Sequence, residues 1–353
     1  MSNIIFVKSN HTYVKKSIIL KNLVIKDAIM CIQDSPLHIA FVVDQNKKLI
    51  GTITDGDIRR GLLKGFDLQT NISKIVYKNP SFSYINKKLS IPTDIMIENN
   101  LRQIPILHKD KTISGVFFYK DIIETPIFKN KIVVMAGGEG KRMRPLTIDK
   151  PKPMIEIKEK PIIQHIIDNA KSLGFYNFII SIKYKGSVIK NYFNKNTNLS
   201  KNINLNYLSE TKPLGTAGCL SLIKKKLSKP FIVINGDIIT KINLSQLLEF
   251  HIEQKAMATI VIKDYIIENP FGVVNLKDNK IVKLIEKPIY KTNVMAGIYV
   301  FDPSVTKYLK KNNEIDMPTF INTLIKLNKK ILAFPIHEKI YEFGKIIDIK
   351  NYS

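Results

Sequence analysis

Cysteine is scarce in this chain: only Cys31 and Cys219 occur in 353 residues. They lie far apart and form no C-x-x-C spacing, which excludes a disulfide framework and a cysteine-built zinc site and fits a reducing cytoplasm. The six histidines show neither metal-ligand spacing nor a partner nucleophile. No G-x-S-x-G motif is present, which argues against a covalent intermediate. No apolar run approaches the ~20 residues of a membrane span, and no basic stretch precedes an apolar one near Met1. A soluble, cytoplasmic protein with no membrane partner is expected. Acidic residues are also few, 30 against 55 basic ones, leaving a net charge of +25. The excess is spread as single lysines, with Lys224-Lys225-Lys226 the longest basic run. No aromatic-interleaved basic patch accompanies it, so nucleic acid is not the expected partner, and a minority of the charge serves anionic substrates.

What is present is a hydrophobic content of 44%, ordinary for a globular core, on a chain long enough for two domains. Its organising stretch runs from Lys131 to Pro153, KIVVMAGGEGKRMRPLTIDKPKP. A β-branched run enters a glycine-rich turn at Gly137, Gly138 and Gly140, beginning at Ala136. Such a turn directs backbone N–H groups at an anion, while Lys141, Arg142, Arg144, Lys150 and Lys152 add fixed positive charge. A Walker A loop would need glycine at Met135 and Ser or Thr at Arg142; a dinucleotide fingerprint would need glycine at Met143. Both fail, and a longer G-G-x-G-x-R-M-x-P-L-T…P-K-P pattern remains.

Further motifs follow in order. The loop Glu210 to Gly218, ETKPLGTAG, offers Gly215 for close approach to a flat ligand, with Thr216 as a cap of the next helix. FIVINGDII ends in Asp237, a strand-end carboxylate that needs a cation. FGVV (Phe271 to Val274), EKP (Glu286 to Pro288) and AGIYVFD (Ala296 to Asp302) come after it. Strands are expected near 132–136, 178–183, 203–208, 231–235, 258–263 and 294–301, and helices near 161–173, 186–193, 216–227, 244–255 and 317–329, with Gly174 just past the first. This alternation predicts a mostly parallel sheet covered on both faces, with ligands beyond the strand carboxyl ends.

Taken together, these motifs resemble those of the sugar-nucleotide pyrophosphorylases, the sugar-1-phosphate nucleotidyltransferases. The resemblance implies a doubly wound, Rossmann-like α/β domain that uses Mg²⁺, a nucleoside triphosphate and a sugar 1-phosphate. By the same resemblance Arg142, Lys152 and Asp237 are catalytic, and Ala136, Gly137, Gly138, Gly140, Lys141, Gly215 and Thr216 bind nucleotide. Glu286, Lys287, Asn293 and Gly297 bind the sugar phosphate. Many relatives place a second metal-binding aspartate in Asp-x-Gly; here YEFGKIID puts Glu342 two residues before Gly344, with Asp348 as competitor.

Residues 21–124 contain a degenerate repeat at an offset of 64 residues: Val42 to Ile58 recurs as Ile106 to Ile122. It resembles a cystathionine-β-synthase (CBS) domain pair of α+β type, a module that binds adenine nucleotides in other proteins. The first copy keeps Thr54 and Asp57, implying a regulatory nucleotide there; the second has Phe118 before Asp121. Asp57 as a helix N-cap, and a pair that only packs against the enzyme or a second subunit, are the structural alternatives. Domains are expected at 1–124 and 131–353, separated by the Pro126 segment. Within the resembled family, the nearest likeness is to guanylyltransferases carrying this repeat pair. They include enzymes that activate glucosamine 1-phosphate for legionaminic acid, a precursor of bacterial surface glycans. Mannose- or heptose-1-phosphate guanylyltransferase, another nucleotide-sugar pyrophosphorylase, and an inactive nucleotide-sensing module are the alternatives, and a homo-oligomer is compatible with each.

Overall fold

The computed structural model describes residues 4–85, 90–99, 101–119, 127–196, 203–223, 227–350 and 352. Two compact units result, Met1–Pro126 and Ile127–Ser353. Asp121, Glu124 to Pro126 and the Lys224–Lys226 run lie outside the described residues.

In the first unit the sequence repeat becomes a structural one. Ile18–Leu20 runs parallel to Ala40–Val43, which pairs antiparallel with Leu49–Ile53. Ser83–Tyr84, Gln103–Leu107 and Ile113–Tyr119 repeat that arrangement, and Ile4–Lys8 adds an antiparallel edge strand. Even the register recurs, Val42↔Gly51 in one copy and Ile106↔Gly115 in the other. Phe41 and Val43 of the first copy share one apolar cluster with Val116 and Phe118 of the second, so each copy completes the other's core.

The second unit is built on a seven-stranded sheet. From edge to edge its strands are Asn204–Ser209, Phe175–Ile182, Phe128–Ala136, Phe231–Asn235, Ile289–Phe301, Ala258–Glu268 and Ile331–Pro335. The first four are mutually parallel. Ile289–Phe301 is antiparallel to both neighbours, and the last pair is parallel again. The sheet is therefore mostly parallel, with one reversed strand on the sugar-motif side. Alternating side chains feed two cores: Ile132 and Val134 join the helices Ile162–Ser172, Gly186–Lys195 and Leu244–Glu253, while Val133 and Val233 face the helix Met317–Lys326. Gly174, at φ +89°, follows the first helix and donates back to Lys171 O at 2.9 Å, as a C′ glycine does.

The expected helix over 216–227 is a correction. A short helix at Gly215–Gly218 passes into a 3₁₀ turn at Cys219–Leu222; its start is docked on the Ile315 backbone, which donates to Leu214 O and accepts from Ala217 N and Gly218 N. Asp57 is corrected too. Thr54 occupies the N-cap of the helix Asp55–Leu63, and Asp57 is its N3 residue.

Candidate active site

Four parallel strands end level with one another. Ile182 is in register with Ala136 and with Ser209, and Asn235 with Met135. The residues that follow, Gly137, Lys183, Glu210 and the Gly236-Asp237 pair, all line one cavity of about 530 Å³. This is where the carboxyl ends of a parallel sheet leave a crevice.

The glycine loop forms the wall of that cavity. Met143 is fully buried and pins the 3₁₀ turn Lys141–Met143. Thr147 Oγ1 donates to Gly140 O at 2.9 Å, and Tyr184 Oη donates to Thr147 O at 3.0 Å. Gly140 sits at φ +63° with Thr147 and Lys152 against the position of a Cβ, so only glycine fits without strain. Gly138 has open space where a Cβ would project, leaving its backbone bare toward an anion. Lys141 is exposed and pairs with Glu139 at 3.3 Å, while the exposed Arg142 lines the cavity.

Across the cavity Gly215, at φ +73°, lies where a Cβ would meet Ile315 O at 2.5 Å. Thr216 also lines the cavity, yet its hydroxyl oxygen accepts from Met317 N at 2.8 Å. It thus supports the start of the helix Met317–Lys326, not its own. On the floor, the Lys152 ammonium pairs with the Asp237 carboxylate, both largely buried. Ala136, Gly137, Gly138, Gly140, Lys141, Arg142, Lys152, Gly215, Thr216 and Asp237 are thus brought together.

The sugar-motif residues are placed elsewhere. Glu286, Lys287 and Asn293 are exposed and do not line the cavity. Asn293 lies opposite Asp264 on a two-stranded extension of the sheet, and Glu286 reaches Gly272. Gly297, at φ +70°, packs against Asn235, itself a cavity residue. Glu342 ends the short strand Ile340–Glu342, which pairs with Ile238–Thr240 in the register Ile238↔Glu342. Phe343 N donates to Asp237 O at 3.0 Å, which holds the two acidic residues on adjoining backbone. Tyr299 is pushed up to about 12, by burial first and then by the Glu342 charge. Asp348 instead accepts from Lys345 N at 2.6 Å, securing the start of the helix Ile346–Lys350. Asp237 lines the cavity, whereas Glu342 is exposed and does not; Mg²⁺ favours one or two carboxylates with phosphate oxygens and water, and of the two Asp237 is the carboxylate the cavity itself presents.

Among the cavity residues with functional groups that motif reading passes over are four at strand ends, Ser181, Lys183, Glu210 and Asn235, besides Glu139 and Glu314. Ser181 Oγ donates to Glu210 Oε1 at 2.6 Å and Leu214 N to Oε2 at 3.3 Å, so both carboxylate oxygens are held in place. The signal was available, since each of the four strand-end residues falls within two positions of a parallel strand's carboxyl end.

In the first unit, Asp57 Oδ2 accepts from the Thr54 amide at 2.8 Å and from its hydroxyl at 2.7 Å. Arg60 pairs with the other carboxylate oxygen at 2.6 Å. The pair forms a helix cap. In the second copy, Phe118 is fully buried.

A CBS domain model matches residues 18–64. Mannose-1-phosphate guanylyltransferase 1 of Arabidopsis thaliana is 35% identical over 199 residues, covering 54% of this chain and 55% of that protein. A mannose-1-phosphate guanyltransferase of Aspergillus fumigatus is 34% identical over 199 residues, 54% of each chain. The chain thus spans about half the length of these curated relatives. A crystal structure of a putative glucose-1-phosphate thymidylyltransferase from Bacillus anthracis shares the fold, with TM-score 0.50 and 23% identity over 63% of this chain and 93% of that one. A UDP-glucose pyrophosphorylase complexed with UDP-glucose does so with TM-score 0.50 and 21% identity over 64% and 97%. The nucleotidyl transferase family model matches residues 131–334, more than half of the sequence, and the chain belongs to that family.

Proposed function

We propose that the second unit transfers a nucleotidyl group from GTP to a sugar 1-phosphate, releasing pyrophosphate. The observation that carries the reading is the convergence of the glycine loop, Arg142, Lys152 and Asp237 on one cavity at the ends of four parallel strands. An oxygen of the acceptor phosphate attacks the α-phosphorus in line, and the bond from that phosphorus to the β-bridging oxygen breaks. The acceptor is already anionic, so no general base is required; positioning and charge stabilisation lower the barrier. Arg142 clamps the departing β- and γ-phosphates, and Lys152 neutralises the α-phosphate. Asp237 and Glu342 hold Mg²⁺, which when bound offsets phosphate charge. Glu286 accepts hydrogen bonds from sugar hydroxyls, Lys287 pairs with the sugar phosphate and Gly297 admits the ring, with Asn293 as a further sugar contact.

Glu210 supports guanine as the base. Each carboxylate oxygen keeps a free lone pair after its Ser181 or Leu214 bond. Guanine alone offers two adjacent donors, N1–H and the N2 amino group, to accept there; adenine, cytosine and uracil each set an acceptor beside a single donor. The guanylyltransferase names of the curated relatives favour the same donor and make mannose 1-phosphate an acceptor to test beside glucosamine 1-phosphate. Glu210→Gln should lower kcat/KM for GTP roughly tenfold or more while ATP changes little. Equal changes for both triphosphates would remove the base from Glu210.

The first unit is proposed to bind a regulatory nucleotide at the Thr54–Asp57 copy. Retention of the pair at a half-buried helix start, against a fully buried Phe118 in the other copy, supports this. Calorimetry of the full chain and of Asp57→Asn with AMP, ADP and ATP tests it. An isotherm identical for both proteins would leave the pair as a cap alone.

A further inference from the structure

The strands Ala258–Glu268 and Ile289–Phe301 run out from the sheet as an exposed ribbon, and the hairpin Val273–Lys277 with Lys280–Ile285 lies between them in the chain. Beside their opposite ends, Ala258 and Phe301, lies a second cavity of about 680 Å³, a volume ordinary for a small-molecule site. Among its lining residues, Asn130, Lys229, Met257 and Lys330 stand within two positions of the first residues of four strands that run the same way. The catalytic cavity follows carboxyl ends instead, so the two cavities lie at opposite ends of the sheet and share no residue.

Buried side chains line this second cavity with polar atoms to spare. Asn130 is 6% exposed and donates from Nδ2 to Pro230 O at 2.8 Å, while its Oδ1 has no hydrogen-bond partner among the described residues. His251 is 1% exposed, with Nδ1 2.9 Å from Thr259 Oγ1. Thr259 is fully buried and its hydroxyl has no other partner among the described residues. Only a Thr259 hydroxyl that donates to Nδ1 leaves no orphaned hydrogen there. Burial keeps the ring neutral by lowering its pKa to about 4, so its proton sits on Nε2, a donor without a partner among the described residues. Asp302 spends Oδ1 on the Ser304 amide and hydroxyl, which leaves Oδ2 to accept. One donor and two acceptors in a half-buried to buried setting complement hydroxyl groups, which both donate and accept.

The exposed part of the lining is cationic, with Lys229, Lys255 and Lys330. Lys330 gives one proton to Gln254 O at 2.5 Å and keeps two. Lys229 and Lys255 have no carboxylate partner among the described residues. Three ammonium groups less the Asp302 charge leave a surplus of two, which a phosphomonoester near pH 7 balances. We propose that this cavity binds a hydroxylated phosphomonoester, a sugar phosphate whose hydroxyls meet Asn130, His251 and Asp302 and whose phosphate meets the three lysines.

Calorimetry of the full chain with glucose 6-phosphate, inorganic phosphate and glucose tests this. The 6-phosphate carries nothing on its anomeric oxygen and so is no acceptor in the transfer proposed above. It should bind, while inorganic phosphate should bind roughly tenfold or more weakly, because it leaves the buried groups unmet, and glucose should give no heat. The double variant Lys229→Ser/Lys255→Asn should raise the dissociation constant for glucose 6-phosphate roughly tenfold or more. Both lysines are exposed, and asparagine tolerates the φ of +49° at position 255, so the variant's melting temperature should match the wild type. Arg142→Ala should leave glucose 6-phosphate binding unchanged, since Arg142 lines the other cavity. No heat with the wild type at millimolar ligand, equal affinity for the ester and either of its parts, or binding that survives the lysine variant would each overturn the proposal. So would binding that Arg142→Ala abolishes, since the ligand would then belong to the catalytic cavity.

Discussion

Arg142, Lys152 and Asp237 lie in the segments that follow strands buried on both faces, whereas Glu286, Lys287 and Asn293 stand on or beside a ribbon and hairpin exposed on both. In the first region the backbone is over-determined. Thr147, Tyr184 and Met143 fix the glycine loop, and level strand ends bring distant residues to one cavity. In the second, the side chains are exposed. Under the proposed function, the contrast sets a preformed phosphate site against a loosely held sugar site in one unit. The first should act through turnover and the second through substrate affinity.

The largest effects should come from the rigid region. Arg142→Ala and Asp237→Asn should each reduce kcat at least a hundredfold, the loss of about 3 kcal/mol of transition-state stabilisation; the melting temperature should be nearly unchanged in the first and lowered in the second, which leaves the largely buried Lys152 ammonium without its partner. Near-normal turnover in either would break the comparison. Glu342→Gln comes next: activity should be lost at low Mg²⁺ and partly restored at high Mg²⁺, since Asp237 remains. Asp348→Asn should alter it little, because that carboxylate caps a helix. A magnesium titration showing the reverse order would move the second ligand to Asp348.

The exposed region should respond more mildly. Lys287→Ala should raise KM for the sugar 1-phosphate roughly tenfold, with little change in KM for the triphosphate, as loss of one exposed charge contact implies. A fall in kcat alone would mean the ribbon shapes the transition state as well. The smallest effect concerns the ribbon's root. His251 is buried, with Nδ1 2.9 Å from Thr259 Oγ1, and burial lowers its pKa from 6.5 to about 4. The unfolded chain therefore takes up a proton below pH 6.5 that the folded one refuses. Stability is full above that pH and declines as pH falls toward 4. Melting temperature should show this slope in the wild type, and His251→Gln should flatten it.

The central strands were legible because Ile132, Val133 and Val134 form a continuous apolar run, as strands covered on both faces do. Asp237 was legible for a related reason: an apolar strand that stops at Gly-Asp can only point its carboxylate into the crevice. The hairpin that carries Leu276, Ile281 and Leu284 was not among the expected strands, and among the described residues these side chains stay exposed, which periodicity does not report. Glu210 was passed over because its role comes from the Ser209↔Ile182↔Ala136 register, a pairing between strands far apart in sequence. The helix expected over 216–227 is cut to Gly215–Gly218 and a 3₁₀ turn, and its first N–H groups are capped by Ile315 O, about a hundred residues away, a contact that local sequence does not report.

The central claim is best tested by pyrophosphate release from the full chain with Mg²⁺, each of four nucleoside triphosphates being crossed with mannose, glucosamine, glucose and heptose 1-phosphates. GTP should support the highest kcat/KM with at least one acceptor, and Arg142→Ala should abolish it. Release with no combination, or a clear preference for another base that survives Glu210→Gln, would contradict the account.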